Sequence, residues 1–336
     1  GTEMDDCFDV SADLTAWIAN VRKPNAAAPL KVQIGPGDFG DEGYLRLVCN
    51  PAAGYTGYIS FEGAGPQQTV FRPGITPISA NSCTHLRFAS FSIITAYHYP
   101  SWKGGGESRW DNMELNMPGS AWSEPVCGAE RGRHYWYSSR LTFGTIDANR
   151  GYDASCDESW FFGSEIRMTT DTEVGTGSTQ GFVLRARGAG EIHVYGGNIR
   201  ALNISADPTR TKNIIQAIDG GSIHIHGTGI DVVPNQGANL AVLYSDTGGI
   251  IHANSSAYAL TFTPGSTISR VVNGDGGRGV HAPYLWEGDA EPPAVLSETG
   301  ADMSVITNTD DGQPHLVIYS SGCPGKWYDT VNKACR

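Results

Sequence analysis

Residues 222–233 read Ser-Ile-His-Ile-His-Gly-Thr-Gly-Ile-Asp-Val-Val, and they carry a pattern that recurs through the middle of the chain. A large apolar residue, Ile225, is followed one position later by two small residues, Gly227 and Thr228, and a second apolar residue, Ile230, comes five positions after the first. Successive copies begin 22 to 33 residues apart, and a repeat of this length predicts a solenoid. The other copies are Phe88 with Ile93, Trp110 with Leu115, Trp136 with Leu141, Phe161 with Ile166, Val194 with Ile199 and, in a weaker form, His252 with Ala257.

Each copy alternates with period two, as in His193 out, Val194 in and Tyr195 out, which predicts strands. Two inward residues five positions apart require a bend between them, and the Gly, Ser and Asn residues found there tolerate one. Strand, corner, strand and loop make one coil of an all-β, right-handed parallel β-helix. The alternative, a β-sandwich or propeller, would need hairpin turns, and before residue 270 only Asp219-Gly220 offers one.

The repeat divides the chain into three predicted parts. Residues 1–29 form an N-terminal cap with a short amphipathic helix, because apolar positions at Leu14, Trp17, Ile18 and Val21 follow helical spacing. Residues 30–270 form the β-helix, and residues 271–336 a small C-terminal cap with a disulfide-loop tail. Atypical end units of this kind cover the open ends of repeat proteins.

Charge and hydropathy exclude two classes of partner. The 336-residue chain has a formal net charge of −12, which disfavours nucleic acid and anionic membranes. No apolar run approaches the roughly 20 residues of a membrane span.

Seven cysteines without a Cys-x-x-Cys metal motif favour disulfides, and therefore a secreted, periplasmic or cell-surface protein. Cys49 and Cys83 are 34 residues apart and Cys127 and Cys156 are 29 apart, so each pair spans about one coil. Cys323 with Cys335 would close a loop in the tail, and this pairing leaves Cys7 without a predicted disulfide partner.

Two outward columns flank the first inward position, and they form an aromatic strip about 20 Å long if coils stack about 4.8 Å apart. Aromatic side chains that the core does not need are typical of binding sites, and we predict substrate contacts there. The alternative is that the loops 95–108 and 117–132 cover the strip. The substrate-binding candidates are Tyr135, Trp160, His193 and His224 in one column and Tyr137, Phe162, Tyr195 and His226 in the other.

Charged residues line the same coils. Two nearby carboxylates would suit glycoside cleavage, and an arginine beside a carboxylate would suit β-elimination from a uronate. The alternative is a ladder of solvated ion pairs. The catalytic candidates are Asp111, Glu114, Glu165, Arg140 and Arg167.

Metal sites are weakly indicated. Asp153, Asp157, Glu158, Asp171 and Glu173 form an oxygen-rich group in predicted loops that would suit calcium, but without EF-hand spacing. His193, His224 and His226 would suit zinc, but a polar ladder at a corner is the favoured interpretation. The expectation is therefore no cofactor, with calcium as the exception to test.

Three stretches carry a family resemblance: residues 34–39 (Ile-Gly-Pro-Gly-Asp-Phe), residues 59–70 (Ile-Ser-Phe-Glu-Gly-Ala-Gly, then Thr-Val) and residues 132–151. Together with the cap helix, they resemble the pectin lyase-like superfamily, and most closely its pectinesterase branch. The resemblance places Asp147 at the position of that branch's nucleophile. Ala-Asn-Arg follows Asp147 where the family has Phe-Ile-Phe, and the family's acid and arginine motifs are absent.

These observations predict an exported protein that binds a polysaccharide along its outer face. One hypothesis is an esterase, hydrolase or lyase acting on uronate-containing or other plant, algal or bacterial polysaccharide. The other is a non-catalytic carbohydrate-binding adhesin or phage tailspike-like protein that has lost the site.

Overall fold

Strands that lie one coil apart in the chain pair in parallel and in register, as the repeat predicts. The computed structural model describes residues 18, 22–40, 45–72, 78–81, 83–94, 101–103, 106–117, 122–123, 132–145, 150–171, 182–204, 212–234, 239–246, 248–254, 257–260, 267–275, 280–281, 284–286, 303–307, 314–319, 327–329 and 334–335. Stacked parallel sheets make the repeated part of the chain a β-solenoid, consistent with a right-handed parallel β-helix.

Three long sheets form the sides of the solenoid. The first contains the strands Leu30–Gln33, Gly57–Glu62, Thr84–Ala89, Gly106–Asp111, Gly132–Tyr137, Glu158–Phe162, Glu191–Tyr195, Ser222–His226, Ile250–Asn254 and Val280–His281. The second contains Gly37–Phe39, Thr69–Phe71, Ser92–Ile94, Glu114–Met117, Arg140–Thr145, Glu165–Asp171, Asn198–Ile204, Gly229–Pro234 and Ala257–Leu260. The third contains Trp122–Ser123, Arg150–Ala154, Phe182–Arg187, Lys212–Ile218, Asn239–Asp246 and Thr267–Asp275.

Two smaller sheets lie toward the ends of the chain. Leu45–Val48, Ile78–Asn81 and Ser101–Lys103 pair in parallel, and a 3₁₀ helix spans Pro51–Ala53. Tyr284–Trp286, Met303–Thr307, Pro314–Tyr319, Trp327–Asp329 and Ala334–Cys335 make a five-stranded sheet that is mostly antiparallel. This change of sheet type accompanies the end of the repeat, while the boundaries at residues 29 and 270 stay predictions.

The inward column is a stack of buried rings and aliphatic side chains, which confirms the predicted register. Phe88, Trp110, Trp136 and Phe161 stack on successive coils, with centroid distances of 4.4, 4.5 and 5.9 Å. Val194 and Ile225 continue the column, and all six side chains are fully buried. Aromatic stacking adds to the apolar burial that holds the coils together.

The predicted seventh copy, His252 with Ala257, is one residue out of register with the structure. Ile225 pairs with Ala253, and Ile230 pairs with Tyr258, so His252 points outward and continues the column of His224. The five-residue spacing is therefore kept, but its first inward residue is a buried alanine, which is too small to stand out in the sequence.

The corner between the first and second sheets is built at one position in each coil. Ser90, Asn112, Ser138, Gly163, Gly196 and Gly227 all have positive φ, between 47° and 66°. This left-handed conformation bends the chain so that both apolar residues of a copy face inward. In the next position, Ser139 and Ser164 are buried, and each hydroxyl donates to a main-chain carbonyl of the preceding coil.

Cys49 and Cys83 form a disulfide between neighbouring coils, as predicted. Cys156 is also disulfide-bonded. Its predicted partner Cys127 lies outside the described residues, as do Cys7, Cys323 and most of the predicted cap helix. Among the residues that are described, no helix is long and apolar enough to cross a membrane.

Candidate binding surface

Two ladders of rings run along the outer face of the first sheet, parallel to the solenoid axis. The four coils from Gly132–Tyr137 to Ser222–His226 each contribute one ring to each ladder, because residues two apart in a strand point to the same face. The first ladder contains Tyr135, Trp160, His193, His224 and His252, and the second contains Tyr137, Phe162, Tyr195 and His226. All eight predicted substrate-binding residues therefore lie on one surface.

The rings of each ladder stack face to face. Centroids in the first ladder are 4.9, 5.3, 4.8 and 5.1 Å apart, with interplanar angles of 4° to 13°. Centroids in the second ladder are 4.9, 5.3 and 5.1 Å apart. The His193 and Tyr195 rings, one from each ladder, lie 6.2 Å apart at an angle of 2°.

This stacking determines what the ladders present to a ligand. The faces of the inner rings are turned toward neighbouring rings, so the outward surface consists mainly of ring edges. Those edges carry phenol hydroxyls at Tyr135, Tyr137 and Tyr195, an indole N–H at Trp160, and imidazole nitrogens. Contact with a sugar would therefore depend more on hydrogen bonds at ring edges than on stacking over ring faces.

The ladders retain contact with solvent. Tyr195 is 38% exposed, and Tyr135, Trp160, Tyr137 and Phe162 are half-buried, whereas the inward ring of Trp136 is fully buried. The described ladder is therefore not sealed into a second core.

One end of the second ladder is closed by a cation. The Arg109 guanidinium carbon lies 4.5 Å from the centroid of the Tyr137 ring, and Arg109 also pairs with Asp111 at 2.8 Å. Arg87 pairs with the same carboxylate at 2.6 Å. Two arginines thus bind the catalytic candidate Asp111.

Burial and charge shift two pKa values in the first ladder. Burial raises the pKa of Tyr135, and the negative charge of Glu107 adds to the shift. Burial lowers the pKa of His224, and the charges of His193 and His252 above and below it act in the same direction. Both shifts favour neutral rings.

The remaining described catalytic candidates form a ladder of alternating charge on the second sheet. Arg140 lies between two carboxylates, 2.7 Å from Glu165 and 3.9 Å from Glu114. Arg200 also approaches Glu165, at 3.6 Å, and pairs with Asp231 at 3.0 Å. The carboxylates are therefore held in ion pairs with arginine.

Arg167 differs from the other arginines of this ladder. Its Nε donates to the Thr142 hydroxyl at 2.9 Å, and no acidic partner is found for it within the described ranges. Asp147, the residue placed at the nucleophile position by resemblance, lies outside the described residues.

The described acidic residues that were predicted to bind calcium pair with different basic residues. Asp153 pairs with Arg185 at 2.6 Å and Arg187 at 3.3 Å, whereas Asp157 approaches His134 and Glu158 approaches Arg133. The side chains of Asp171 and Glu173 lie outside the described part.

For the zinc hypothesis, His193 and His224 stack in the first ladder, whereas His226 belongs to the second. In the described part of the chain, no group of three or more His, Cys, Asp or Glu residues is arranged to hold a metal ion.

A Ser-His-Asp chain that sequence reasoning missed lies inside the solenoid. The Ser108 hydroxyl is 2.7 Å from His134 Nδ1, and His134 Nε2 is 3.2 Å from Asp157. Trp110 Nε1 also donates to the Ser108 hydroxyl, at 2.7 Å. Ser108 and His134 are fully buried, so the arrangement joins coils and offers no substrate access. The register Ser108–His134, two residues before the inward tryptophans, was the signal available in the sequence.

Comparison with protein families, with curated proteins and with solved structures finds no match for this chain.

Proposed function

We propose that this protein binds a polysaccharide along the two ring ladders of the first sheet. The observation that carries the proposal is the run of solvent-contacting rings on consecutive coils, because the core does not require aromatic residues at outward positions. A surface with a rung about every 4.8 Å suits an extended polymer lying along the axis.

The β-helix fold is common among proteins that act on polysaccharides, which supports the choice of ligand class. The edges of the rings supply donors and acceptors for the hydroxyl groups of a sugar chain. Disulfides favour an oxidising compartment, and we place the protein outside the cytosol on that ground.

Binding without turnover is the version that the ion pairs favour. Asp111, Glu114 and Glu165 each approach at least one arginine. A general acid or base has to reach the substrate and exchange a proton with it, and these carboxylates instead face arginines of the protein. The absent family motifs around Asp147 point the same way.

The test is retention of the chain on soluble polysaccharides, measured by affinity electrophoresis with pectin, alginate, xylan and a soluble cellulose derivative. Trp160→Ala should weaken binding about tenfold, which corresponds to about 1.4 kcal/mol. The substitution removes one ring of the ladder and leaves the Tyr135 and His193 rings without the ring that stacks between them. Tyr244→Ala is the matched control, since Tyr244 is a half-buried tyrosine of the third sheet.

Equal loss of binding in both variants would contradict the assignment of the ladders, and so would full binding by Trp160→Ala. The same samples should be assayed for new reducing ends, unsaturated uronates and released ester groups. Turnover that disappears in Asp147→Ala or Glu165→Ala would replace the binding function with an enzymatic one.

A further inference from the structure

We infer that the ladder surface selects a neutral polysaccharide and rejects polyuronates, an inference that rests on the proposed function and names its ligand class. The argument depends on the charged side chains that share the outer face of the first sheet with the rings.

Each described lysine or arginine on this face pairs with a carboxylate of the protein. Lys31 pairs with Glu62, Arg87 and Arg109 pair with Asp111, and Arg133 pairs with Glu158 at 3.3 Å. A carboxylate on the ligand would have to compete with a protein carboxylate for each of these cations.

Acids outnumber bases on the same face. The bases are Lys31, Arg87, Arg109 and Arg133, and the acids are Glu62, Glu107, Asp111, Glu158 and Glu191, which makes four against five. Glu107 and Glu191 have no lysine or arginine partner among the described residues; Glu191 approaches His193 Nε2 at 2.9 Å and His224 Nε2 at 3.8 Å.

The two acids without a described lysine or arginine partner lie beside the rings. Glu107 is on the coil before Tyr135, two residues before Arg109, which pairs with that tyrosine in the strand register. Burial is the main cause of the raised pKa of Tyr135; the charge of Glu107 adds to it, and the charge of Arg133 opposes it. Glu191 is two residues before His193 in the same strand. A polyuronate along the ladders would place carboxylates near both, and like charges brought together oppose binding.

Histidine protonation should make the discrimination against polyuronates depend on pH. His224 faces His193 and Glu191 on one neighbouring strand, His252 on the other and His226 on its own, so acid conditions add positive charge to this end of the surface. The discrimination against polyuronates should therefore weaken as the pH falls below the ordinary histidine range.

The experiment measures binding of neutral arabinoxylan and of polygalacturonate by calorimetry at pH 7.5 and low salt. We expect arabinoxylan to bind at least about tenfold more tightly. The double variant Glu107→Gln/Glu191→Gln should narrow that ratio by raising polygalacturonate affinity, while arabinoxylan affinity stays within about twofold. Circular dichroism and a melting curve establish that the variant is folded.

The outcomes separate the two proposals. Failure of both polymers to bind overturns the proposed function and this inference with it. Tighter binding of polygalacturonate overturns this inference alone, as does a double variant with an unchanged ratio. If polygalacturonate binding is lost in Arg167→Gln, the anionic ligand lies around the corner on the second sheet and the ladders are not its site.

Discussion

Gly196 and Gly197 follow the strand Glu191–Tyr195, and they show two reasons for a glycine at a corner: a positive φ and a close approach of backbone atoms. Gly196 has φ of 66° and open space where a Cβ would lie, whereas Gly197 has φ of 74° and would place a Cβ 2.0 Å from the Ser164 carbonyl oxygen. Gly196→Ala should reduce the free energy of unfolding by about 1–2 kcal/mol, because only the left-handed conformation is penalised. Gly197→Ala should cost clearly more, since the close approach adds to that penalty.

Urea denaturation of both variants measures the difference. Gly151→Ala isolates the close approach, because its Cβ would meet the Val183 carbonyl oxygen at 2.0 Å without a positive φ. Gly196→Asn should be milder than Gly196→Ala, since Asn112 adopts the same conformation three coils away. Equal losses for Gly196→Ala and Gly197→Ala would contradict the account of the corner.

His224 makes stability depend on pH. Its pKa is lowered from 6.5, so the folded protein binds fewer protons than the unfolded chain between that lowered value and 6.5. The free energy of unfolding should therefore be highest above pH 6.5 and fall as the pH is lowered through this window. Melting curves between pH 7.5 and 5 should show a shallower pH slope for His224→Phe, which keeps a ring in the ladder and removes the titration.

A His224→Phe variant with the slope of the parent protein would assign the pH dependence to other groups.

At the scale of strands, register could be predicted from the sequence wherever the inward residue is large. Phe88, Trp110, Trp136 and Phe161 identify their coils by size alone, and every outward neighbour then follows from the alternation of a strand. Ala253 is the exception, because a small inward residue gives no size signal and the bulkier His252 beside it resembles the inward position.

The partners of individual side chains could be predicted from the sequence less well than the strand register. The sequence placed Asp153 in an oxygen-rich loop, whereas it is a buried residue of a third-sheet strand, and its carboxylate is held by Arg185 from the next coil. Ring stacking within the ladders has the same origin: register brought the rings together, but which faces remained free depended on side-chain rotation, which alternation does not specify.

At the scale of the whole molecule, a solenoid transmits little from one end to the other. Each described coil contacts its immediate neighbours, so local stability follows from nearest-neighbour interfaces. The Cys49–Cys83 disulfide closes a separation of 34 residues near one end, and a crosslink of that length stabilises by about 3–4 kcal/mol. The effect of its removal should therefore be confined to the coils nearby.

Hydrogen exchange in the double variant Cys49→Ala/Cys83→Ala tests that locality, and it leaves the disulfide of Cys156 intact. Exchange should accelerate in the strands Gly57–Glu62 and Thr84–Ala89, which adjoin the crosslink, and stay unchanged in Ser222–His226, which lies five coils further along the first sheet. Equal acceleration in all three strands would mean that the solenoid opens as a single cooperative unit. The ladders would then share their stability with the N-terminal coils, and binding by the ladder surface would fall when the disulfide is removed; local opening instead leaves that binding intact.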